Sequence, residues 1–349
     1  MLLPRIFLSA MQIGIDTFVE RVVTPSDPLA RNSAERVAQL LEEAELADRV
    51  GLDVYAIGEH HREEYVASSP AILLAAIAAR TKNIRLASAV TVLSSDDPVR
   101  VFQQFATLDL ISNGRAEIIV GRGSFIESYP LFGYDTKFYY ELFAEKLDLL
   151  LALRDDVHVR WEGHHRASLT GQGVWPRPVQ NPLPIRLGVG GTPASFARAG
   201  ALGLPLTVAV IGGEPHRFRP LVDLYYQAAE RAGHDRSKLD VALHCIGYLA
   251  DTDDQAADEL WPAYQHTFSR IGRERGWGPT TRAAFDAQRG PTGAFLVGTP
   301  QTVSTKIKRF SADLGGISRV TFMISGGMLA HDKVLHSIDL MGTQLKPLH

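Results

Sequence analysis

Ile84-Arg85-Leu86-Ala87-Ser88-Ala89-Val90-Thr91-Val92, then the turn Asp97-Pro98, the stretch 99–111, Asn113-Gly114 and a second apolar run ending in Gly121-Arg122-Gly123 set the pattern of this chain. They spell strand, helix, strand. Val101, Phe105 and Leu108 recur at helical spacing in the middle piece, which is long enough for the crossover that parallel strands require. Asp97 is placed to cap the free amides, and Pro98 suits a first helical position, where its missing N–H costs nothing. Both strands are almost wholly apolar, as strands covered on both faces must be. Each ends in small or polar residues, and α/β barrels and open α/β sheets build their sites at the C-terminal ends of their strands.

The same alternation runs through the whole chain. Eight apolar runs read as strands, at residues 12–16, 53–57, 84–92, 117–120, 185–189, 205–210, 240–248 and 319–324, and a helical pattern follows each one. Four helix starts share a capping residue followed by proline: Ser69-Pro70, Asp97-Pro98, Thr192-Pro193 and Thr299-Pro300. Eight strand–helix repeats without an intervening linker predict an α/β protein, a single (β/α)8 TIM barrel filling residues 1–349 as one domain. Met11-Gln12-Ile13-Gly14-Ile15 reads as the start of the first strand, which makes residues 1–10 an N-terminal extension. Three connections exceed plain loops: 121–138, rich in aromatics and glycine; 155–184, with an expected hairpin around Glu162-Gly163; and 251–299, partly helical but carrying Gly272, Gly276, Gly278, Gly290 and Gly293. Long insertions at the C-terminal mouth of a barrel serve as lids or substrate walls.

Composition narrows the function classes. The chain has 349 residues, 45% hydrophobic and 21% charged, with a net charge of −3 and both signs interspersed. This is the profile of a globular chain with ample core. No basic stripe points to nucleic acid, and no apolar run approaches the ~18 residues of a membrane span. The single cysteine, Cys245, lies in an apolar run and cannot form an intramolecular disulfide, which fits a reducing cytoplasm.

Several segments carry candidate chemistry. Gly188-Val189-Gly190-Gly191-Thr192-Pro193-Ala194-Ser195 is a glycine turn opening a helix, where backbone amides, the helix dipole and two hydroxyls can cradle a phosphate; a tight turn with an ordinary cap is the alternative. It lacks the acidic residue ~20 positions on that a dinucleotide fingerprint requires. In Gly121-Arg122-Gly123 the glycines permit close backbone approach, and the guanidinium suits a bidentate phosphate or else a loop carboxylate. Glu59-His60-His61-Arg62-Glu63-Glu64 follows the second strand. Its adjacent histidines cannot share a helix face, so no metal is expected. One imidazole facing the barrel mouth could act as an acid or base near neutral pH.

Together, Ile57-Gly58-Glu59-His60-His61, Ala89-Val90-Thr91-Val92-Leu93 with Asp97-Pro98-Val99-Arg100, Leu108-Asp109, Ile111-Ser112-Asn113-Gly114-Arg115, Gly121-Arg122-Gly123 and the glycine turn before Thr192-Pro193 resemble the bacterial luciferase-like family of flavin-dependent monooxygenases. The resemblance runs from Met11 to the C-terminal helix and weakens over 251–299. It implies a barrel that binds reduced FMN, with the phosphate at Arg122 and at Gly190, Gly191, Thr192 and Ser195, a non-prolyl cis peptide at Ala89-Val90 under the flavin ring, and His60 beside the reactive face. His61 is the less critical of the two histidines on this reading. One departure is Gly121, where luciferases carry a cysteine, so light emission and aldehyde substrates are not implied. The expected activity is oxidation of a small organic substrate by reduced FMN and dioxygen. A separate flavin reductase would supply the reduced FMN, and relatives of this fold pair as homodimers. A deazaflavin-dependent oxidoreductase of the same fold and a non-catalytic flavin-binding protein are the rival readings.

Overall fold

The computed structural model describes residues 11–21, 29–324 and 327–349; the expected extension at residues 1–10 lies outside them. Twelve strands occur among the described residues: β1 (Gln12–Thr17), β2 (Val54–Ile57), β3 (Arg85–Ser88), β4 (Thr91–Val92), β5 (Ala116–Gly121), β6 (His158–Trp161), β7 (Leu169–Gly173), β8 (Ile185–Val189), β9 (Leu206–Val210), β10 (Val241–Leu249), β11 (Leu296–Gly298) and β12 (Arg319–Met323). The hydrogen-bonded path β9-β8-β5-β3-β2-β1-β12-β10 returns to β9, which makes the eight-stranded (β/α)8 barrel that the alternation predicts. Its ladders are parallel, with Val54 opposite Arg85, Ile118 opposite Ile185, Val241 opposite Leu206 and Ala242 opposite Arg319. All four residues of β2 and all nine of β10 are buried, which explains why both are apolar apart from His244.

By internal contacts the described residues group into two compact units, one of those within 16–189 with 327–331, the other of residues 11–15, 190–324 and 332–349. In the first, the expected strand 84–92 is divided into β3 and β4 at the cis peptide Ala89–Val90. Helix Pro98–Ser112 starts as predicted, with the Asp97 carboxylate accepting from the N–H groups of Val99 (2.9 Å) and Arg100 (3.2 Å). The Leu108-Asp109 and Asn113-Gly114-Arg115 motifs are scaffold. Arg115 donates to Ala78 O and Thr81 O, both at 3.0 Å, and to Ile84 O at 2.8 Å, which ties the end of helix Pro70–Ala78 to the start of β3. Asp109 accepts from the N–H of Ala116 (3.2 Å) and of Gln180 (2.8 Å). The hairpin expected after residue 155 is β6 paired antiparallel with β7.

In the second unit the stretch 251–299 is partly helical, as expected. A 23-residue helix, Asp253–Arg275, runs straight through Gly272 and carries Pro262 inside it. Its ends are well defined: Thr252 accepts from Gln255 N–H, Asp253 and Asp254 sit in the first turn, and Gly276 closes it at φ 68°. Helix Arg282–Arg289 and β11 follow, and β11 adds to β10 with Leu296 opposite Gly247. The buried Lys306 ammonium joins these pieces, donating to Arg289 O at 2.9 Å and to Phe295 O at 2.5 Å. Burial pushes its pKa down to about 8.

Candidate active site

In residues 16–189, the loops leaving β2, β3 and β5 bring together most of the side chains singled out by sequence. Gly58 leads from β2 into Glu59, His60 and His61; a Cβ there would lie 2.4 Å from Phe18 and 2.9 Å from the Ala89 carbonyl, so a side chain does not fit. His60 is buried. Its ring meets Phe18 edge-on at 4.4 Å between centroids and packs against Tyr65 at 4.6 Å and Phe125 at 5.2 Å. Its backbone N–H donates to Ala67 O at 2.9 Å, while its Nε2 has no hydrogen-bond partner among the described residues. Burial first, and the positive neighbours His61 and Arg62 second, push its pKa down to about 3. The ring is therefore neutral near pH 7 and offers a hydrogen-bonding nitrogen, not a positive charge.

The chain beside this ring is strained. Val19, next to Phe18, sits at φ 54°, a left-handed conformation that costs a β-branched residue of order 1–3 kcal/mol. It is buried, and its N–H donates to Thr17 Oγ1 at 3.1 Å.

The peptide Ala89–Val90 is cis, as the resemblance implies. Ala89 and Val90 are half-buried and pack on Val54, Ala56, Ala87 and Ile119. Two glycines make room for Val90: a Cβ at Gly121 would lie 2.6 Å from its Cγ2, and one at Gly188 2.7 Å from its Cγ1. Gly121 thus stands where it does because Val90, between β3 and β4, fills the space a side chain would take.

Arg122 leaves β5 with its guanidinium over the rings of Tyr139 (4.9 Å) and Tyr140 (4.7 Å). The backbone around it is held by Tyr129, whose hydroxyl donates to Arg122 O at 3.3 Å, and by Tyr139, whose hydroxyl donates to Gly123 O at 3.3 Å.

Three ionisable groups at this end were not singled out by sequence. Glu59 is buried, with Oε1 2.8 Å from His61 Nε2 and Oε2 accepting from Val92 N–H at 2.8 Å. Asp96 is pushed up to about 6 by burial and by the nearby Glu59 carboxylate. Lys146, fully buried, donates to Ser94 O at 2.8 Å, lies 3.7 Å above the Tyr134 ring and is pushed down to about 8 by burial. Glu59 was visible inside the quoted histidine motif. Nothing in the helical pattern around Lys146 distinguishes it from a surface lysine.

The other predicted residues lie in the second unit. Gly190 and Gly191 are exposed, and a Cβ at either would meet nothing within 4 Å. Thr192 begins helix Pro193–Ala201 but makes no side-chain capping bond, so its hydroxyl is not used by the helix's own amides. Ser195 N–H donates to Thr192 O at 3.0 Å. The turn is open backbone at a helix N-terminus. Among the described residues no group of three or more His, Cys, Asp or Glu is placed to hold a metal ion, and no helix is long and apolar enough to cross a membrane.

The family model described as luciferase-like monooxygenase matches residues 17–316. A protein of Sinorhizobium fredii, y4wF, is 34% identical over 181 residues, which is 52% of this chain and 51% of that one, so the chain spans about half the length of this relative. 4-Hydroxyprotoasukamycin monooxygenase of Streptomyces nodosus subsp. asukaensis is 29% identical over 261 residues, 70% of this chain and 69% of that one. Among solved structures, monooxygenase RslO1 from Streptomyces bottropensis superposes with a TM-score of 0.84 at 23% identity, covering 97% of this chain and 99% of that one. The oxygenating constituent of 3,6-diketocamphane monooxygenase from Pseudomonas putida, a Type II Baeyer-Villiger enzyme in complex with FMN, gives 0.77 at 21% identity, covering 97% and 99%. An F420-dependent secondary alcohol dehydrogenase gives 0.76 at 18% identity, covering 98% and 100%. At these identities the superpositions speak to the fold alone, and the family follows from the match over residues 17–316. The chain belongs to the luciferase-like monooxygenase family.

Proposed function

We propose that this protein is a flavin-dependent monooxygenase that uses reduced FMN and dioxygen to oxidise a small organic substrate. The observation that carries the reading is His60: a buried imidazole whose Nε2 has no partner among the described residues, two residues past Gly58, where a Cβ would lie 2.9 Å from the carbonyl of the cis peptide Ala89–Val90. A buried polar atom is costly unless a group satisfies it, and a bound flavin is such a group. The open backbone at Gly190 and Gly191 is a second feature that suits it. When bound, reduced FMN supplies the two electrons that activate dioxygen.

Each residue then has a role of its own. Ala89 and Val90 carry the ring. Arg122, its guanidinium already oriented by two tyrosines, pairs with the phosphate. Gly190, Gly191, Thr192 and Ser195 offer amides and hydroxyls to an anion. His60 gives or takes a hydrogen bond at Nε2 while staying uncharged. Reduced FMN arrives from a separate flavin reductase in a reducing cytoplasm, which the single buried thiol of Cys245 fits. The protein pairs as a homodimer, supported by the exposed apolar side chains of Ile72, Leu110 and Ile111 on helices Pro70–Ala78 and Pro98–Ser112.

Titrating the protein anaerobically with reduced FMN or with reduced deazaflavin, then admitting air, tests the reading. Tight binding of FMN with oxygen uptake that yields oxygenated product supports it. Binding of the deazaflavin alone makes the protein a hydride-transfer oxidoreductase, and FMN binding without turnover on any substrate makes it a flavin carrier. Arg122→Ala is expected to weaken FMN binding by about tenfold or more, because it deletes a charge-assisted pair of roughly 1.5–3 kcal/mol. An unchanged dissociation constant with a lowered melting temperature makes Arg122 a structural residue.

A further inference from the structure

Glu59 joins two pieces of the site. It is buried, and among the described residues its partners are His61 Nε2 at 2.8 Å and the backbone N–H of Val92 at 2.8 Å. Val92 lies two residues past the Ala89–Val90 peptide, so one carboxylate fastens the loop after β2 to the segment that follows this platform. A carboxylate only accepts hydrogen bonds, so the nitrogen it faces carries the hydrogen. A neutral His61 is therefore held as the Nε2–H tautomer, which leaves the lone pair on Nδ1. Nδ1 has no hydrogen-bond partner among the described residues; the ring also meets Phe132 edge-on at 5.2 Å. His60 has no such carboxylate among the described residues and is ringed by Phe18, Tyr65 and Phe125.

We propose that Glu59 is a positioning residue that holds His61 in the Nε2–H tautomer and fastens it to Val92 N–H, so that the proton-accepting nitrogen of this loop is Nδ1 of His61. A proton accepted there from a bound molecule leaves an imidazolium whose charge the Glu59 carboxylate balances. The same carboxylate is flanked by Asp96, and Arg62 adjoins the histidine pair, so charge at this position is shared among acids and bases of several elements. His61→Ala is then as damaging as His60→Ala, whereas sequence alone ranks it milder. The source of the proton rests on the flavin reading; the tautomer does not.

Glu59→Gln tests this. Glutamine has one accepting and one donating end, so it can keep Val92 N–H only by turning its NH₂ toward His61 Nε2, which must then become the acceptor. In protein labelled with ¹⁵N-histidine and free of flavin, ring-nitrogen shifts, assigned by the signal missing from His61→Phe, should report Nε2–H in wild type and Nδ1–H in Glu59→Gln. With FMN and substrate, Glu59→Gln should bind FMN within about threefold of wild type by fluorescence quenching while turnover falls by about 10²-fold or more. A wild-type ring found as Nδ1–H overturns the proposal even if the variant does not fold, and so does a tautomer unmoved by the substitution. If the tautomer flips but neither protein binds FMN, the flavin reading fails and the positioning role of Glu59 stands.

Discussion

At the scale of residues, burial decides what each titratable group can do. His60 is an ordinary imidazole in the sequence, yet enclosure by three aromatic rings pushes it to about 3 and makes the neutral form its working state. A folded-state pKa below the unfolded value of ~6.5 contributes stability above pH 6.5 that is lost as pH falls toward 3. Between pH 7 and pH 4 that loss is roughly 3 kcal/mol at about 1.4 kcal/mol per pKa unit. His60→Phe keeps a ring in place without a titrating nitrogen. In urea unfolding at the two pH values, wild type is expected to lose more stability than the variant by about that amount; equal losses would assign the acid lability to other groups. The histidine motif made this position legible as a candidate. The orphaned Nε2 and the Glu59–His61 pairing were not legible, because both depend on which neighbours fold against the loop.

At the scale of elements, local chemistry and remote packing divide the work. The start of helix Pro98–Ser112 could be read from Asp97-Pro98, since capping involves only neighbours in sequence. In 251–299, partly helical as expected, Thr252 and the acidic first turn start a helix that continues past Gly272, and packing of its buried face sustains it. Gly121 is a second case. Its meaning lies in Val90, 31 positions away in sequence, whose side chain fills the space beside it. Gly121→Ala should therefore cost roughly 1–3 kcal/mol through overpacking, and adding Val90→Ala should recover most of it. Thermal unfolding of the two single variants and the double variant checks this; additive effects would show that the two positions do not share the space.

At the scale of the whole molecule, the strand order closes as eight parallel strands, while internal contacts group the residues into two compact units. The uninterrupted strand–helix alternation argues for one cooperative domain. Trp161 and Trp175 report on the first unit and Trp261 and Trp277 on the second. Variants that keep one tryptophan pair, with the other replaced by phenylalanine, are expected to show coincident urea midpoints by fluorescence, matching far-UV circular dichroism. Separate midpoints would show that the units unfold independently.

The amino-acid sequence by itself determined the barrel class and all eight of its strands, and it marked the glycine turn and the histidine pair as candidates, because hydrophobic period, capping residues and glycine turns act between near neighbours in the chain. Tertiary structure alone decided the rest: which histidine is buried neutral and which is held by a carboxylate, why position 121 has no side chain, and where Lys146 and Asp96 acquire shifted equilibria. Those properties come from desolvation and from contacts between residues tens of positions apart, which no local pattern encodes.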